Sequence, residues 1–82
     1  FALGNLYAQA GRWNDAQQAY FRAFAGDGDN PDYQFNLAIS LDQLRQPKLA
    51  LQYYQGALAA AVQRPAALDK RQAESRVSEL QK

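Results

Sequence analysis

The sequence offers carboxylates as candidate catalytic groups, but it lacks the side chains that usually assist them. It contains no histidine and no cysteine, which excludes imidazole bases, thiolate nucleophiles and the usual zinc sites together. Asp32 and Asp42 could form a hydrolytic pair, but on one helix they would lie about 15 Å apart, whereas such pairs work at about 5–10 Å. We therefore expect no catalytic residue, no cofactor and no enzymatic activity.

Asp27 and Asp29 could open a calcium site, because their D-x-D spacing is that of the start of a calcium loop. The remaining ligands, the glycine that follows and the closing glutamate are missing. The alternative is a polar turn, since Gly26 to Pro31 is dense in turn formers and Asn30 before Pro31 makes a good helix cap. We expect this turn, and no metal.

Tyr53 and Tyr54 could stack on nucleic-acid bases or could pack in a core. The chain has 9 Lys and Arg against 8 Asp and Glu, so it has no general attraction for phosphate backbones. We expect a core or inter-repeat role for both tyrosines and no nucleic-acid partner. The sequence also has no apolar run of about 18 residues, so we expect no membrane insertion by this segment.

The elements that would position these side chains follow an internal repeat. Sliding the sequence against itself gives identical pairs at one constant separation, namely Phe1/Phe35, Leu3/Leu37, Gln9/Gln43, Ala16/Ala50, Gln18/Gln52, Tyr20/Tyr54, Ala23/Ala57 and Ala25/Ala59. Gly4/Ala38, Tyr7/Leu41 and Phe24/Leu58 add pairs that are similar in size or character. A repeat with a period of about 34 residues is typical of a helical array.

Apolar residues recur at spacings of three and four in each copy, which predicts two helices per copy. The predicted helices cover residues 1–10, 15–25, 32–44, about 47–62 and 66–81. Gly11 should end the first helix and Asn14 should cap the second. Arg45 stands where a second turn glycine would be. The last helix has a thin apolar stripe of Leu68, Ala73, Val77 and Leu80, as a helix capping a solenoid should.

Small residues recur where paired helices would touch. Helices approach to about 8–10 Å only where side chains at the crossing are small. The predicted crossing points are Gly4, Ala16 and Ala23 in the first copy and Ala38, Ala50 and Ala57 in the second. Larger residues should fill the spaces around them, namely Leu3, Tyr7 and Tyr20 in the first copy and Leu37, Leu41 and Tyr54 in the second.

These residues resemble a known family. The run L-G-x-x-Y from Leu3 to Tyr7, followed by Gly11, Trp13, Ala16, Tyr20 and Ala23, is similar to the tetratricopeptide repeat (TPR), a helix pair of about 34 residues. The resemblance implies an all-α, right-handed α-solenoid of two helix hairpins plus a C-terminal capping helix, five helices in all. It also implies a single domain over residues 1–82, with repeats at about 1–30 and 31–64 and the capping helix at about 65–82.

The resemblance further implies a scaffolding or docking module that holds a peptide or helix of a partner protein in a concave groove lined by the first helix of each pair. The expected groove residues are Phe1, Asn5, Ala8, Gln9, Asp32, Phe35, Asn36, Ile39, Asp42 and Gln43. Two Phe and one Ile among amides suit an apolar anchor flanked by backbone hydrogen bonds. A solvated face with accidental aromatic residues is the alternative.

Two other functions stay open at this stage. In chaperone-binding repeats a clamp of Lys, Arg and Asn holds a C-terminal carboxylate; Asn5 and Asn36 fall at its asparagine positions, but Phe1 stands where its first Lys would be. The second is a structural role, because two repeats are fewer than the roughly three that such arrays need. The segment would then self-associate or pack on neighbouring repeats through Phe1, Leu6 and Trp13.

Charge and composition add expectations about context. Residues 1–44 carry 2 basic and 5 acidic side chains, and residues 45–82 carry 7 and 3, which should mildly favour head-to-tail stacking of copies. Methionine is absent even at residue 1, so we expect a piece of a longer protein. The Gln- and Ala-rich style suggests a bacterial cytoplasmic or periplasmic protein that helps assemble an envelope machine such as a pilus or secretion system.

Overall fold

The computed structural model describes residues 2–82, and this part of the chain consists of α-helices without strands. The five helices are α1 (Ala2–Gln9), α2 (Trp13–Gly26), α3 (Pro31–Gln43), α4 (Pro47–Gln63) and α5 (Lys70–Leu80). Each helix packs on the next one along the chain. The prediction of an all-α chain with five helices is confirmed, while the right-handed solenoid sense stays a prediction. Within residues 2–82 no helix is both long enough and apolar enough to cross a membrane.

The turns that close the two hairpins have the same backbone geometry at equivalent positions of the repeat. In the first turn the Gly11 N–H donates to the carbonyl of Ala8 at 3.0 Å, and the Arg12 N–H donates to that of Tyr7 at 2.9 Å. In the second, Arg45 and Gln46 donate to Asp42 and Leu41 at 3.0 Å each. Gly11 has φ +75° and Arg45 has φ +62°. Arg45 therefore takes the left-handed conformation of the glycine that it replaces.

The start of α2 differs from the sequence prediction. Asn14 does not cap it; the helix begins at Trp13 and its cap residue, Arg12, makes no side-chain cap hydrogen bond. The left-handed turn at Gly11 leads directly into the helix, which brings the start forward. Arg12 instead pairs with Asp15 in the first turn, at 2.6 Å between Nη2 and Oδ2.

The start of α5 also differs, since the helix begins at Lys70 and not at the predicted Ala66. Its cap is Asp69, whose carboxylate accepts the N–H groups of Arg71 and Gln72 at 3.0 and 3.3 Å. The preceding N–H groups of Ala67 and Leu68 donate to the carboxylate of Asp32 instead, so residues 65–68 stay outside the helix. The predicted stripe still faces the core, where Ala73 is buried and Leu68, Val77 and Leu80 pack around it.

The predicted helix starts at Asn30 and Pro47 are found in the structure. Asn30 caps α3 by accepting the N–H groups of Asp32 and Tyr33 at 3.0 and 3.2 Å, and Pro31 occupies the first turn. Pro47 opens α4, which has 17 residues against 14 in α2, so the second hairpin has the longer second helix. Buried small residues mark the contacts between helices, namely Gly4, Ala16, Ala38, Ala50, Ala57 and Ala73.

Arg45→Gly tests the left-handed turn. An L-residue in this conformation costs about 1–2 kcal/mol, and glycine removes that cost while adding entropy to the unfolded chain. We expect the free energy of unfolding to rise by about 0.5–1 kcal/mol. Urea denaturation measures it as a higher midpoint at unchanged slope. Lys48→Gly, on the exposed first turn of α4, is the matched control and should lower stability; a fall in both variants would contradict the strained turn.

Candidate functional site: the surface of α1, α3 and α5

A first concavity of about 310 Å³ lies between α1 and α3. Its lining is uncharged, and consists of Asn5, Ala8, Gln9, Trp13, Tyr20, Asn36 and Ile39. Ile39 and Ala8 are half-buried, whereas Gln9 is exposed. The concavity therefore combines half-buried apolar side chains with amide side chains.

Gly4 sets the position of the tyrosine beneath this concavity. A Cβ at Gly4 would lie 2.6 Å from two ring carbons of Tyr20, so only glycine lets the ring lie against α1. The Tyr20 hydroxyl then donates to Oδ1 of Asn5 at 2.6 Å. Burial raises the pKa of Tyr20, which keeps the hydroxyl protonated and able to donate.

The equivalent tyrosine of the second hairpin points elsewhere. Ala38 takes the place of Gly4 in this hairpin. The Tyr54 hydroxyl instead donates to Oδ2 of Asp42 at 3.1 Å, farther along α3 than the counterpart of Asn5. The two equivalent tyrosines thus donate to different partners, an amide in the first hairpin and a carboxylate in the second.

A second concavity, of about 340 Å³, lies between α3 and α5 and is charged. Arg76 of α5 forms a bidentate pair with Asp42, at 2.6 Å from Nε to Oδ2 and 2.7 Å from Nη2 to Oδ1. Its remaining nitrogen, Nη1, donates to Glu79 at 2.8 Å. Hydrogen bonding to Arg76, and then to Tyr54, lowers the pKa of Asp42. Burial and the neighbouring Asp42 charge raise the pKa of Tyr54, and the carboxylates raise the pKa of Arg76.

The N-terminal end of α3 is occupied by the protein's own main chain. The Asp32 carboxylate accepts the N–H of Ala67 at 3.0 Å and that of Leu68 at 2.9 Å. A third concavity lies here and includes Phe35 and Asn36 with residues 67–69. Phe35 is only 7% exposed, and its ring packs edge-on against Tyr54 at 5.9 Å between centroids.

Asp27, the first acid of the D-x-D sequence, is engaged by Arg64. The guanidinium donates to both carboxylate oxygens, at 2.8 and 3.2 Å, and this hydrogen bonding lowers the pKa of Asp27. Asn30 also donates to it at 3.4 Å. The polar turn therefore ties the α2–α3 connection to the end of α4.

Comparison with family models bears on the first hairpin. The model described as Tetratricopeptide repeat matches residues 1–32, which contain α1 and α2.

The chain contains a tetratricopeptide repeat.

Tetratricopeptide repeats generally mediate protein–protein interaction, so a protein partner is the expected kind of ligand. Comparison with curated proteins found no match. The second helix pair lies outside the matched range, and its likeness to the tetratricopeptide hairpin rests on the internal repeat and on the shared turn geometry.

The structure divides the predicted groove residues of the two hairpins into three groups. Asn5, Ala8, Gln9, Asn36 and Ile39 line the first concavity, while Asp42 and Gln43 line the second with Ile39. Asp32 and Phe35 differ from the prediction, because Asp32 binds the main chain of residues 67 and 68 and Phe35 belongs to the buried core. Phe1 lies outside the described residues.

The predicted repeat positions are mostly buried, with one clear difference between the hairpins. Leu37 is 0% exposed, but its counterpart Leu3 is 50% exposed, so Leu3 fills no space between helix pairs in the described chain. Tyr7 and Ala23 are half-buried. The remaining positions are buried.

Other residues line the first two concavities beside the predicted ones, namely Trp13 and Tyr20 in the first and Tyr54, Gln72, Ser75, Arg76 and Glu79 in the second. Sequence position indicates interface and core roles for Trp13 and Tyr20, and only the close approach at Gly4 brings the Tyr20 ring to the lining. From the sequence alone, Arg76 is interpreted as one polar residue of a solvated helix face. Arg76 is separated from Asp42 by 34 residues, the period of the repeat. This signal can be recognised only if α5 is treated as the first helix of a third pair.

The Asp42–Arg76 pair predicts how stability depends on pH. Because the folded pKa of Asp42 lies below its usual value, the pair stabilises the fold above about pH 4, and this contribution is lost as the pH falls through the folded pKa. We expect Arg76→Gln to lower the free energy of unfolding by about 1–3 kcal/mol at pH 7, with the deficit shrinking toward pH 2. Thermal unfolding from pH 2 to pH 7 measures this.

Arg64→Gln is the control for that series, because the Arg64–Asp27 pair is more exposed and surface pairs contribute less. A deficit of Arg76→Gln that stays constant across the pH range would show that packing, not the ion pair, accounts for it.

Proposed function

We propose that this segment is a docking module whose first concavity, between α1 and α3, binds a peptide or helix of a partner protein. The observation that carries the proposal is the lining itself, in which the apolar side chains of Ile39 and Ala8 lie among amide side chains of both helices. An apolar anchor flanked by hydrogen-bonding groups is a common mode of peptide capture. The expected role in assembling a bacterial envelope machine stays a prediction that identification of the partner would test.

The second concavity contributes differently to this proposal. Arg76 and Asp42 pair with one another there, so this part of the surface is a charged wall that α5 adds to the groove. Ile39 lines both concavities and is therefore the side chain that a bound segment would meet at the centre. A charged substitution at Ile39 should affect binding more than any change at the rim.

A second function is favoured by the exposed face of α1. Leu6 is 63% exposed while its counterpart Ser40 is 0% exposed, and Leu3 and Leu37 differ in the same way. Positions that the second hairpin buries are thus uncovered in the first. Packing on a neighbouring repeat or on a second copy would bury them, which is the structural role expected from the sequence.

Head-to-tail stacking of copies receives less support from charge than the sequence suggested. Two acids of the N-terminal half are paired with bases of the C-terminal half inside one chain, in the pairs Asp27–Arg64 and Asp42–Arg76. The face of α4 near Ala57 and Ala61 is buried, and α5 packs on this helix. A second copy would therefore meet α1 more readily through another α1 than through α4.

Site-specific photocrosslinking in the source cells separates the two functions. A benzoylphenylalanine is placed at Ile39, at Leu6, or at Val62, which is 78% exposed and lines none of the three concavities. Groove binding predicts a crosslink from position 39 to a segment of another protein, identified by mass spectrometry. Self-association predicts a crosslink from position 6 to the chain itself.

The probe at Val62 is the matched control for both arms. Equal labelling of the same partner from positions 39 and 62 would contradict a binding site in the first concavity. A position-39 crosslink confined to residues of the chain itself would favour the structural role over docking.

A further inference from the structure

We propose that the segment bound in the first concavity is an uncharged, internal stretch of the partner, recognised through a main-chain amide group, and not a C-terminal carboxylate. This inference rests on the proposed function. It follows from the hydrogen-bonding groups that Asn5 and Asn36 have available after their contacts within the protein are made.

Asn5 presents a donor to the concavity. Its Oδ1 already accepts the Tyr20 hydroxyl at 2.6 Å. Among residues 2–82 its side-chain nitrogen donates to no protein acceptor, so the NH₂ group is available to a ligand. Because the amide oxygen is engaged by Tyr20, the NH₂ group lies on the opposite side of the same planar amide.

Asn36 presents an acceptor to the same concavity. Its Nδ2 donates to the main-chain carbonyl of Asp32 at 2.8 Å, so the group that this lining residue has left for a ligand is its oxygen. A peptide group carries one donor and one acceptor and so matches both side chains. A carboxylate carries acceptors only. It could not donate a hydrogen bond to the Asn36 oxygen, and the two acceptors would repel each other.

Charge in the groove argues in the same direction. No Lys or Arg is found among the described residues lining the first concavity. In the second, all three guanidinium nitrogens of Arg76 are engaged by Asp42 and Glu79. A carboxylate would therefore lose its hydration without gaining a cation, which is costly for a charged group.

The adjoining end of α3 already binds main chain in this way. There the side chain of Asp32 accepts two consecutive N–H groups, those of Ala67 and Leu68. Asn36 lines both this third concavity and the first one. A bound segment that engages Asn36 would thus continue a surface on which a side chain of α3 already accepts main-chain N–H groups.

Peptide display tests the inference with a change that leaves the fold intact. Two libraries are selected on the chain, one displaying peptides with no free C-terminus and one ending in a free carboxylate. Selected peptides are then measured against Asn5→Asp, which keeps an oxygen for Tyr20 but replaces the outward NH₂ group. Gln52→Glu, the same amide-to-acid change on the exposed side of α4, is the matched control, and circular dichroism verifies folding of each variant.

We expect binders from the first library, with an apolar residue and few acids, that lose about tenfold in affinity on Asn5→Asp, the effect of one hydrogen bond. They should bind Gln52→Glu normally and should be lost on Ile39→Lys. Binders found only in the free-carboxylate library would overturn the inference. Binders whose affinity is lost on Ile39→Lys but unchanged on Asn5→Asp would overturn the inference about the main-chain amide, and groove binding would still stand. Binders unaffected by Ile39→Lys, or no binders at all, would contradict the proposed function itself.

Discussion

The close approach of paired helices at small residues is the constraint on which the structure depends. Ala16 and Ala50 are fully buried at equivalent positions of the two hairpins, and Gly4 lies so near Tyr20 that a methyl group would not fit. Helices in van der Waals contact exclude water from their shared face, and apolar burial of this kind is the main favourable term in folding. The turns, caps and ion pairs then fix how one pair follows the next.

The groove is a consequence of that packing. Because the Tyr20 ring fits against Gly4, its hydroxyl reaches Asn5 and turns the amide of Asn5 outward. In the second hairpin, where Ala38 stands in place of Gly4, Tyr54 reaches Asp42 and joins the ion pair with Arg76. The surface therefore has a neutral half, where Tyr20 contacts Asn5, and a charged half, where Tyr54 contacts Asp42. Ile39 lines both halves.

Much of the fold could be predicted from the sequence, since hydrophobic periodicity, Gly11, Asn30 and Pro47 are local signals that do not depend on distant contacts. The start of α5 could not, because the N–H groups that would have begun it bind Asp32, which is distant from them in sequence. The lining of the concavities follows less directly from the sequence than the helices do. Helical position alone placed Phe35 on the binding surface, while its contact with Tyr54 places it in the core, and the pairing of Arg76 with Asp42 required the third dimension.

The most direct test of the account is the stability of Ala16→Leu and Ala50→Leu, each measured by chemical denaturation. Both alanines are fully buried at matching positions of the repeat, so each substitution should overpack its helix pair and cost about 1–3 kcal/mol. Gln18→Leu and Gln52→Leu, at exposed positions farther along the same helices, should change stability by less than about 0.5 kcal/mol. If leucine at either alanine lowered stability no more than leucine at the glutamine on the same helix, the paired helices of that hairpin would not be held together at this contact.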